Sequence, residues 1–324
     1  MLDAVDASEY AGCVPRRIPF VPVIASLLLC VGAATSSVAA TPPDAIDEAL
    51  WREDLTAWRG RADAGLRRDR GWLSIIGRWE LEPGVTRLGS SPKNRIVLPK
   101  ALAPAELGTL TVRDGKATLE LAPGQTMRVV EKNQPGKEFT RRELASEGER
   151  IEWVTGGRLS LQVVKRSDGR FVLRAADRDA PMLKTFAGRV WYEPRSDHRV
   201  TARFVPQPKG TQIPIANVRG EISYEDVAGS LEFTLNGQPV RLDALDDEGN
   251  LFVIFRDATS GQGSYPPGRF LSIRKPQDGV WTVDFNKAYN PPCAFSAYTT
   301  CPLPPPQNWM TLPVPAGERY VEKR

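Results

Sequence analysis

Four two-residue turn signals, each between short runs of alternating apolar residues, set the pattern of the chain after residue 70. They are Asp114-Gly115, Asp168-Gly169, Asn236-Gly237 and Asp278-Gly279. Asp-Gly and Asn-Gly pairs favour the positive φ angles that tight β-hairpins require. Helical patterns do not alternate with these strands, which disfavours a parallel α/β sheet. The sequence therefore predicts a mainly β fold, either an antiparallel sandwich or a partly open barrel.

Two segments depart from this β pattern. Apolar residues recur at helical spacing from Ile46 to Leu66, after an expected N-cap at Asp44, and predict an amphipathic helix laid across a sheet. Near the C-terminus, eight prolines fall within residues 291–315. Proline fixes φ and removes a backbone donor, so this segment is expected to wrap the surface in extended form.

Composition shifts divide the chain into four predicted parts. Residues 131–150 are polar and include Pro135 and Gly136, which marks a boundary between two β regions. The predicted parts are a signal peptide (1–40), the N-terminal helix (41–70), a small β subdomain (71–150), and a main β domain with the C-terminal motif (151–324).

The N-terminus carries the pattern of a secretory leader. Arg16 and Arg17 precede an apolar stretch from Ile18 to Ala34, and small residues follow up to Ala40. We expect cleavage near Ala40 and an exported protein, periplasmic or extracellular; retention of the leader as an anchor is the alternative. No later segment is apolar enough to predict a membrane span.

Charge and histidine content exclude several classes of function. The 43 Lys and Arg against 39 Asp and Glu leave a net charge of +4 with the signs interspersed, so no nucleic-acid partner is predicted. His198 is the single histidine, which excludes multi-histidine metal sites. Without a Gly-x-Ser-x-Gly elbow, Ser-His-Asp catalysis through His198 is disfavoured. No nucleotide-binding glycine motif is present, so no cofactor is predicted. No metal is predicted either.

The C-terminal region contains a long motif. Residues 284–295 read DFNKAYNPPCAF, residues 301–305 read CPLPP, and Asn308 and residues 316–318 (AGE) follow. Further matches are GWL (71–73), DATSG (257–261) and YPPGRF (265–270). From about Trp51 to the C-terminus the chain resembles the bacterial domain of unknown function 1684 family. The resemblance implies a shared fold and a shared site, and it brings no activity.

A second, shorter likeness lies in residues 88–98, LGSSPKNRIVL, which are similar to the glycine-to-asparagine strand signature of forkhead-associated domains. This resemblance implies a small β-sandwich around residues 80–150. The arginine that those domains place after the glycine is Ser90 here, and no histidine precedes His198. Phosphopeptide binding is therefore not expected.

The densest set of polar side chains lies in two nearby segments. The set is Asp257, Thr259, Tyr265, Arg269, Asp284, Asn286, Tyr289 and Asn290. A hairpin between Phe270 and Val283 would bring the two segments together and pair Arg269 with Asp284. The ligand-binding candidates are Tyr265, Arg269, Asn286, Tyr289 and Asn290.

Three functions fit these residues. The leading hypothesis is an envelope protein that binds a small molecule or glycan. The second is a hydrolase in which two of the carboxylates Asp257, Asp284 and Glu318 act as general acid and base, while tyrosines stack on a sugar. The third is a structural scaffold without a small-molecule site, in which the motif side chains satisfy backbone groups of the proline-rich wrap.

Two cysteines remain once the leader, with Cys13 and Cys30, is removed. Cys293 and Cys301 have seven residues between them, whereas a redox pair is usually separated by two. In an exported protein this spacing favours one disulfide loop over free thiols or a metal site. Intact-mass measurement of secreted protein after alkylation should therefore detect no modified thiol. Two alkylated cysteines in the mature chain would contradict the disulfide.

Overall fold

The computed structural model describes residues 47–131, 134–146, 151–166 and 168–322. The predicted N-terminal helix is confirmed as α1 (Glu48–Leu66). Its N-cap is Asp47, whose carboxylate accepts the backbone N–H groups of Ala49 and Leu50, both at 3.1 Å. Asp44, the residue expected to cap the helix, lies outside the described residues, as does the predicted leader.

The first β unit is a sandwich of two sheets. Its strands are β1 (Ile75–Leu81), β2 (Gly84–Gly89), β3 (Ile96–Val97), β4 (Gly108–Arg113), β5 (Lys116–Leu121), β6 (Met127–Glu131), β7 (Gln134–Phe139), β8 (Arg141–Glu143), β9 (Trp153–Gly156), β10 (Leu159–Lys165) and β11 (Phe171–Asp177). One sheet has the order β1-β11-β10-β9-β6-β7 and the other the order β3-β2-β4-β5-β8. A single cluster of buried apolar side chains joins them, including Leu88 and Leu119 from one sheet and Leu161 and Leu173 from the other.

The sandwich extends past residue 150, where the sequence predicts a domain boundary. β11 pairs with β1, and β9 pairs with β6, so strands on both sides of that residue share one sheet. The forkhead-associated-like segment forms β2, a loop and the parallel strand β3. Asn94 holds this loop by donating a hydrogen bond to the carbonyl of Ala105 at 2.7 Å. The likeness to that fold stays a prediction.

A short helix, α2 (Pro181–Thr185), leads to the second β unit. Its strands are β12 (Arg199–Pro206), β13 (Gln212–Ala216), β14 (Ile222–Leu235), β15 (Gln238–Asp247), β16 (Asn250–Phe255), β17 (Arg269–Ile273) and β18 (Trp281–Asp284). The order is β17-β16-β15-β14-β12-β18, with β13 paired to β14. The chain after β18 returns to β17 through two backbone hydrogen bonds between Phe270 and Tyr289, at 2.8 and 2.9 Å. The result is a nearly closed barrel, so the predicted mainly β fold is confirmed.

Three of the four predicted hairpins are confirmed. β4 pairs with β5, β10 with β11, and β14 with β15, each across the expected turn. The fourth is wrong, because β17 pairs with β16 while β18 pairs with β12. Gly279 does turn, with φ of +82°, but the connection between β17 and β18 is much longer than a two-residue hairpin loop. The two strands therefore lie at opposite edges of the sheet order.

The proline-rich segment wraps the barrel and also contributes to its core. Met310, Leu312, Val314 and Ala316 pack in the same apolar cluster as the barrel strands. Backbone hydrogen bonds fix the path of the wrap, from Leu303 N–H to the carbonyl of Ala216 at 2.7 Å and from Met310 N–H to the carbonyl of Arg256 at 2.9 Å. The wrap is thus an integral layer of the fold.

Ion pairs join the sandwich to the barrel. Arg166 and Arg170, in the β10–β11 connection, both bind Glu221, which lies between β13 and β14. The hydrogen bond from Arg166 lowers the pKa of Glu221 to about 2, from an ordinary value near 4.5. Within the described ranges, no helix is both long and apolar enough to cross a membrane.

Gly317 offers a test of how closely the wrap approaches the chain after β18. Gly317 and Gly279 have nearly the same φ, +80° and +82°, so alanine meets the same backbone strain at both. A Cβ at Gly317 would lie 2.5 Å from the carbonyl oxygen of Ala288, whereas Gly279 faces open space. We expect Gly279→Ala to lower the unfolding free energy by about 1 kcal/mol and Gly317→Ala to lower it by roughly 1–3 kcal/mol more. Urea denaturation measures both, and equal losses would contradict the close approach.

Candidate functional site

Arg269 lies at the centre of the predicted site and is fully buried. Its Nη2 donates to Asp257 Oδ2 at 2.8 Å and to the carbonyl of Val314 at 2.9 Å, and its Nη1 donates to the carbonyl of Ala316. The other oxygen of Asp257 accepts the backbone N–H and the hydroxyl of Thr259, at 2.8 and 2.6 Å. The guanidinium therefore ties the loop after β16 to the last part of the wrap.

Asp284 ends β18 and belongs to a different network. Its Oδ1 accepts the backbone N–H and the side-chain amide of Asn286, at 3.0 and 2.9 Å. Its Oδ2 accepts the indole N–H of Trp51 in α1 at 2.9 Å. The predicted ion pair between Arg269 and Asp284 is wrong, because the hairpin that would have aligned them does not form and Asp257 pairs with Arg269 instead.

Glu318 forms a third network. It is buried, pairs with Arg189, and accepts the backbone N–H of Asn290 at 2.8 Å. The side-chain amide of Asn290 donates to the carbonyl of Arg319 at 3.0 Å. Burial raises the pKa of Glu318, although Arg189 and the N–H of Asn290 act in the opposite direction.

The two tyrosines expected to bind a ligand pack against other rings. Tyr289 is buried, with its ring centroid 5.9 Å from that of Phe270 and 6.3 Å from that of Trp58. Tyr265 meets Tyr320 edge-on at 4.9 Å, and its partial burial raises the pKa of its hydroxyl. In this conformation the ring faces of Tyr289 are not open to a sugar.

The three carboxylates named as catalytic candidates are each engaged by protein donors. The exposed fractions of Asp257, Asp284 and Glu318 are 4%, 8% and 1%. A shallow depression on the barrel lies elsewhere and contains none of the predicted site residues; its lining is Ile213, Ile215, Asp243, Leu245, Ile254, Pro305 and Asn308. In the described part of the chain, no group of three or more His, Cys, Asp or Glu side chains could hold a metal ion.

Sequence reasoning missed several residues that complete these networks. Trp51 lies in the predicted helix and was not among the candidate site residues, yet its indole N–H donates to Asp284. Nothing in the sequence indicated a role for Arg189, because its partner Glu318 lies 129 residues away. Asn308 was noted only within the motif. Its side chain accepts from Asp243 N–H at 2.8 Å and donates to the carbonyls of Asp243 and Ile254, both at 2.9 Å, so it anchors the wrap on β15 and β16.

The predicted disulfide between Cys293 and Cys301 is formed, with a Cα–Cα distance of 6.1 Å. The hydroxyl of Thr299 donates to Cys293 Sγ at 3.0 Å within the loop. The carbonyl of Cys301 accepts the backbone N–H of Val218 at 3.1 Å. The loop is thereby attached to the turn between β13 and β14, next to Glu221.

The pair formed by Arg269 and Asp257 predicts a large loss of stability when one partner is removed. Arg269→Met should lower the unfolding free energy by about 3–5 kcal/mol, because it leaves a buried carboxylate without its cation. Arg128 pairs with Glu138 at 2.9 Å on the surface, with exposed fractions of 53% and 44%, so Arg128→Met should cost under about 1 kcal/mol. Chemical denaturation measures both variants.

Asp257→Asn is a second variant for the case in which Arg269→Met does not fold, because the amide keeps the shape of the carboxylate. It should also lower the unfolding free energy by clearly more than the surface control Arg128→Met does. Losses under about 1 kcal/mol for both buried variants would contradict the structural role of the pair.

Comparison with known proteins finds similarity in the C-terminal part of the chain. The family model described as "Protein of unknown function (DUF1684)" matches residues 184–319. A solved structure of an uncharacterized protein from Haloarcula marismortui, determined by solution NMR, is 36% identical over 42% of this chain and 78% of that chain, with a TM-score of 0.35. No curated protein matches the sequence. The chain belongs to the DUF1684 family of proteins of unknown function.

Proposed function

We propose that this protein is an exported, non-catalytic structural scaffold of the cell envelope. The observation that carries the proposal is that the polar side chains of the family motif are bonded to the protein itself. Asp257, Asp284 and Glu318 are each more than nine-tenths buried, and each accepts hydrogen bonds from protein donors. The motif therefore serves to hold the chain together.

The same burial disfavours a hydrolase. Glycoside hydrolysis needs two carboxyl groups about 5–10 Å apart with room for the substrate between them. Here Asp257 is neutralised by Arg269, and Glu318 is paired with Arg189. Neither carboxylate has a free oxygen facing solvent, so neither is placed to protonate a leaving group or to activate water.

The requirements of the wrap explain why so many polar groups are buried. Pro313 and Pro315 have no backbone N–H, so they cannot contribute donors to a sheet ladder at the wrap. The carbonyls of Val314 and Ala316 are satisfied by Arg269. Earlier in the wrap, the side chain of Asn308 bonds the backbone of β15 and β16 at Asp243 and Ile254, and so attaches the wrap to the barrel. These contacts support a role in assembly of the fold and need no ligand.

Two features support export to the cell envelope. The disulfide between Cys293 and Cys301 is the kind of bond that persists in oxidising compartments. The leader pattern in residues 1–40 adds the same expectation from the sequence alone. The proposed location is therefore periplasmic or extracellular.

Binding of a glycan is the second candidate, and Trp309 favours it. Its side chain is 54% exposed, its indole N–H donates to the carbonyl of Pro304 at 2.9 Å, and Arg256 stacks on the ring at 5.1 Å. An exposed indole fixed in this way offers a rigid apolar face, which is the surface that stacks on a sugar ring. This site is distinct from the buried motif.

A thermal-shift screen of the mature chain separates these functions. The panel contains divalent cations, glycans, peptidoglycan fragments, nucleotides and lipids, and it is run beside Asp284→Asn and Trp309→Ala. A ligand at 100 times its dissociation constant stabilises by about 2.7 kcal/mol, so binders are visible. The scaffold proposal predicts no shift. A shift that Trp309→Ala removes would support glycan binding, and one that folded Asp284→Asn removes would place a ligand at the motif and overturn the scaffold.

A further inference from the structure

Helix α1 lies outside residues 184–319, the range matched by the family model, yet it is seated on that range along its length. Residues 184–319, called here the family module, contact positions on one face of the helix. These positions, called here the stripe, are Trp51, Asp54, Trp58, Arg59 and Asp63. A stripe of this spacing is how an amphipathic helix fills a groove.

At the N-terminal end of the stripe, the contacts are polar and specific. The indole N–H of Trp51 donates to Asp284 at 2.9 Å, in a buried hydrogen bond. One turn later, Lys287 Nζ donates to Asp54 Oδ2 at 2.5 Å. The family module thus offers an acceptor for an indole and a cation for a carboxylate, one helical turn apart.

In the middle of the stripe, aromatic rings and a guanidinium meet. Trp58 packs edge-on against Trp191, with ring centroids 5.6 Å apart. Arg59 lies over the same Trp191 ring at 4.8 Å and donates to the carbonyl of Tyr192 at 3.1 Å. Each contact joins complementary groups, so the helix has one favoured register and direction.

At the C-terminal end, the contacts are again polar. The backbone N–H of Arg189 donates to Asp63 at 3.1 Å. Just past the helix, Arg67 donates to the carbonyl of Phe186 at 2.8 Å and lies over its ring at 4.8 Å. Leu55, Ala62 and Leu66 are buried, but they lie outside the three main apolar clusters of the described residues. Interfaces between separable parts have this mixed polar character.

We propose that the face of the family module formed by Phe186, Arg189, Trp191, Tyr192, Asp284 and Lys287 is a helix-binding groove, that α1 fills it reversibly, and that it also accepts α1 of a second copy of this chain. This groove does not depend on the scaffold role, because it is defined by the contacts of α1 alone. A tethered helix has a millimolar effective concentration at its own groove, so a helix from another molecule competes only when α1 is weakened or released.

The test uses a fluorescein-labelled peptide of residues 47–68, titrated into the full chain and followed by anisotropy. In the Trp51→Phe/Asp54→Ala chain, the resident helix loses its bonds to Asp284 and Lys287, while the peptide can supply both. We expect the peptide to bind this chain at least about tenfold more tightly than wild type, which corresponds to the loss of about one charge-assisted hydrogen bond. Glu53→Ala, exposed and off the stripe, is the matched control and should behave as wild type.

Adding Lys287→Ala to the weakened chain should reduce peptide binding by several-fold, because the groove then lacks the cation that receives Asp54. Equal binding with and without Lys287 would overturn the groove as the site. Equal binding to wild type and to the weakened chain, or no binding to either, would overturn reversible occupancy.

Hydrogen exchange covers the case in which the weakened chain does not fold. In wild type, amides of α1 should exchange at least about tenfold faster than those of β14 and β15, because the helix opens without the barrel. Matching rates would mean that α1 leaves only when the barrel unfolds, and the proposal would be wrong.

Discussion

The C-terminal half of the structure depends on the bonds that the buried guanidinium of Arg269 makes to Asp257 and to carbonyls of the wrap. A cation removed from water costs several kcal/mol unless it is paired and hydrogen-bonded. Asp257 supplies the charge, and the carbonyls of Val314 and Ala316 supply acceptors. These carbonyls belong to a proline-rich segment with few donors of its own, so the wrap and the arginine satisfy each other. The loop after β16, the first residue of β17 and the end of the wrap are therefore fixed together.

Local signals in the sequence predicted local structure well. Asn236 and Gly237 have φ of +52° and +75°, the left-handed values that such a pair favours, and the hairpin they turn is present. The helix followed from the spacing of its apolar residues. The hairpin predicted from Asp278-Gly279 was wrong. A turn residue fixes the direction of the chain over a few residues, whereas the partner of a strand in a nearly closed barrel depends on every other strand.

The candidate site was predicted in composition but not in arrangement. Of the polar residues singled out around Arg269 and Asp284, all but the half-buried Tyr265 are buried and hydrogen-bonded. Their partners could not be inferred, because Trp51 is 233 residues from Asp284 and Arg189 is 129 residues from Glu318. Spacing along the chain carries no information about such contacts. Only the packing of α1 and of the wrap on the barrel brings these groups together.

The origin of each partner separates the motif residues into two kinds. Asp257 with Arg269, and Arg189 with Glu318, are pairs in which both members lie within residues 184–319. Asp284 differs, because one of its oxygens receives its hydrogen bond from Trp51, outside that region. The paired residues can hold the wrap without help from the rest of the chain. Asp284 is therefore the motif carboxylate at which helix α1 and the family module meet.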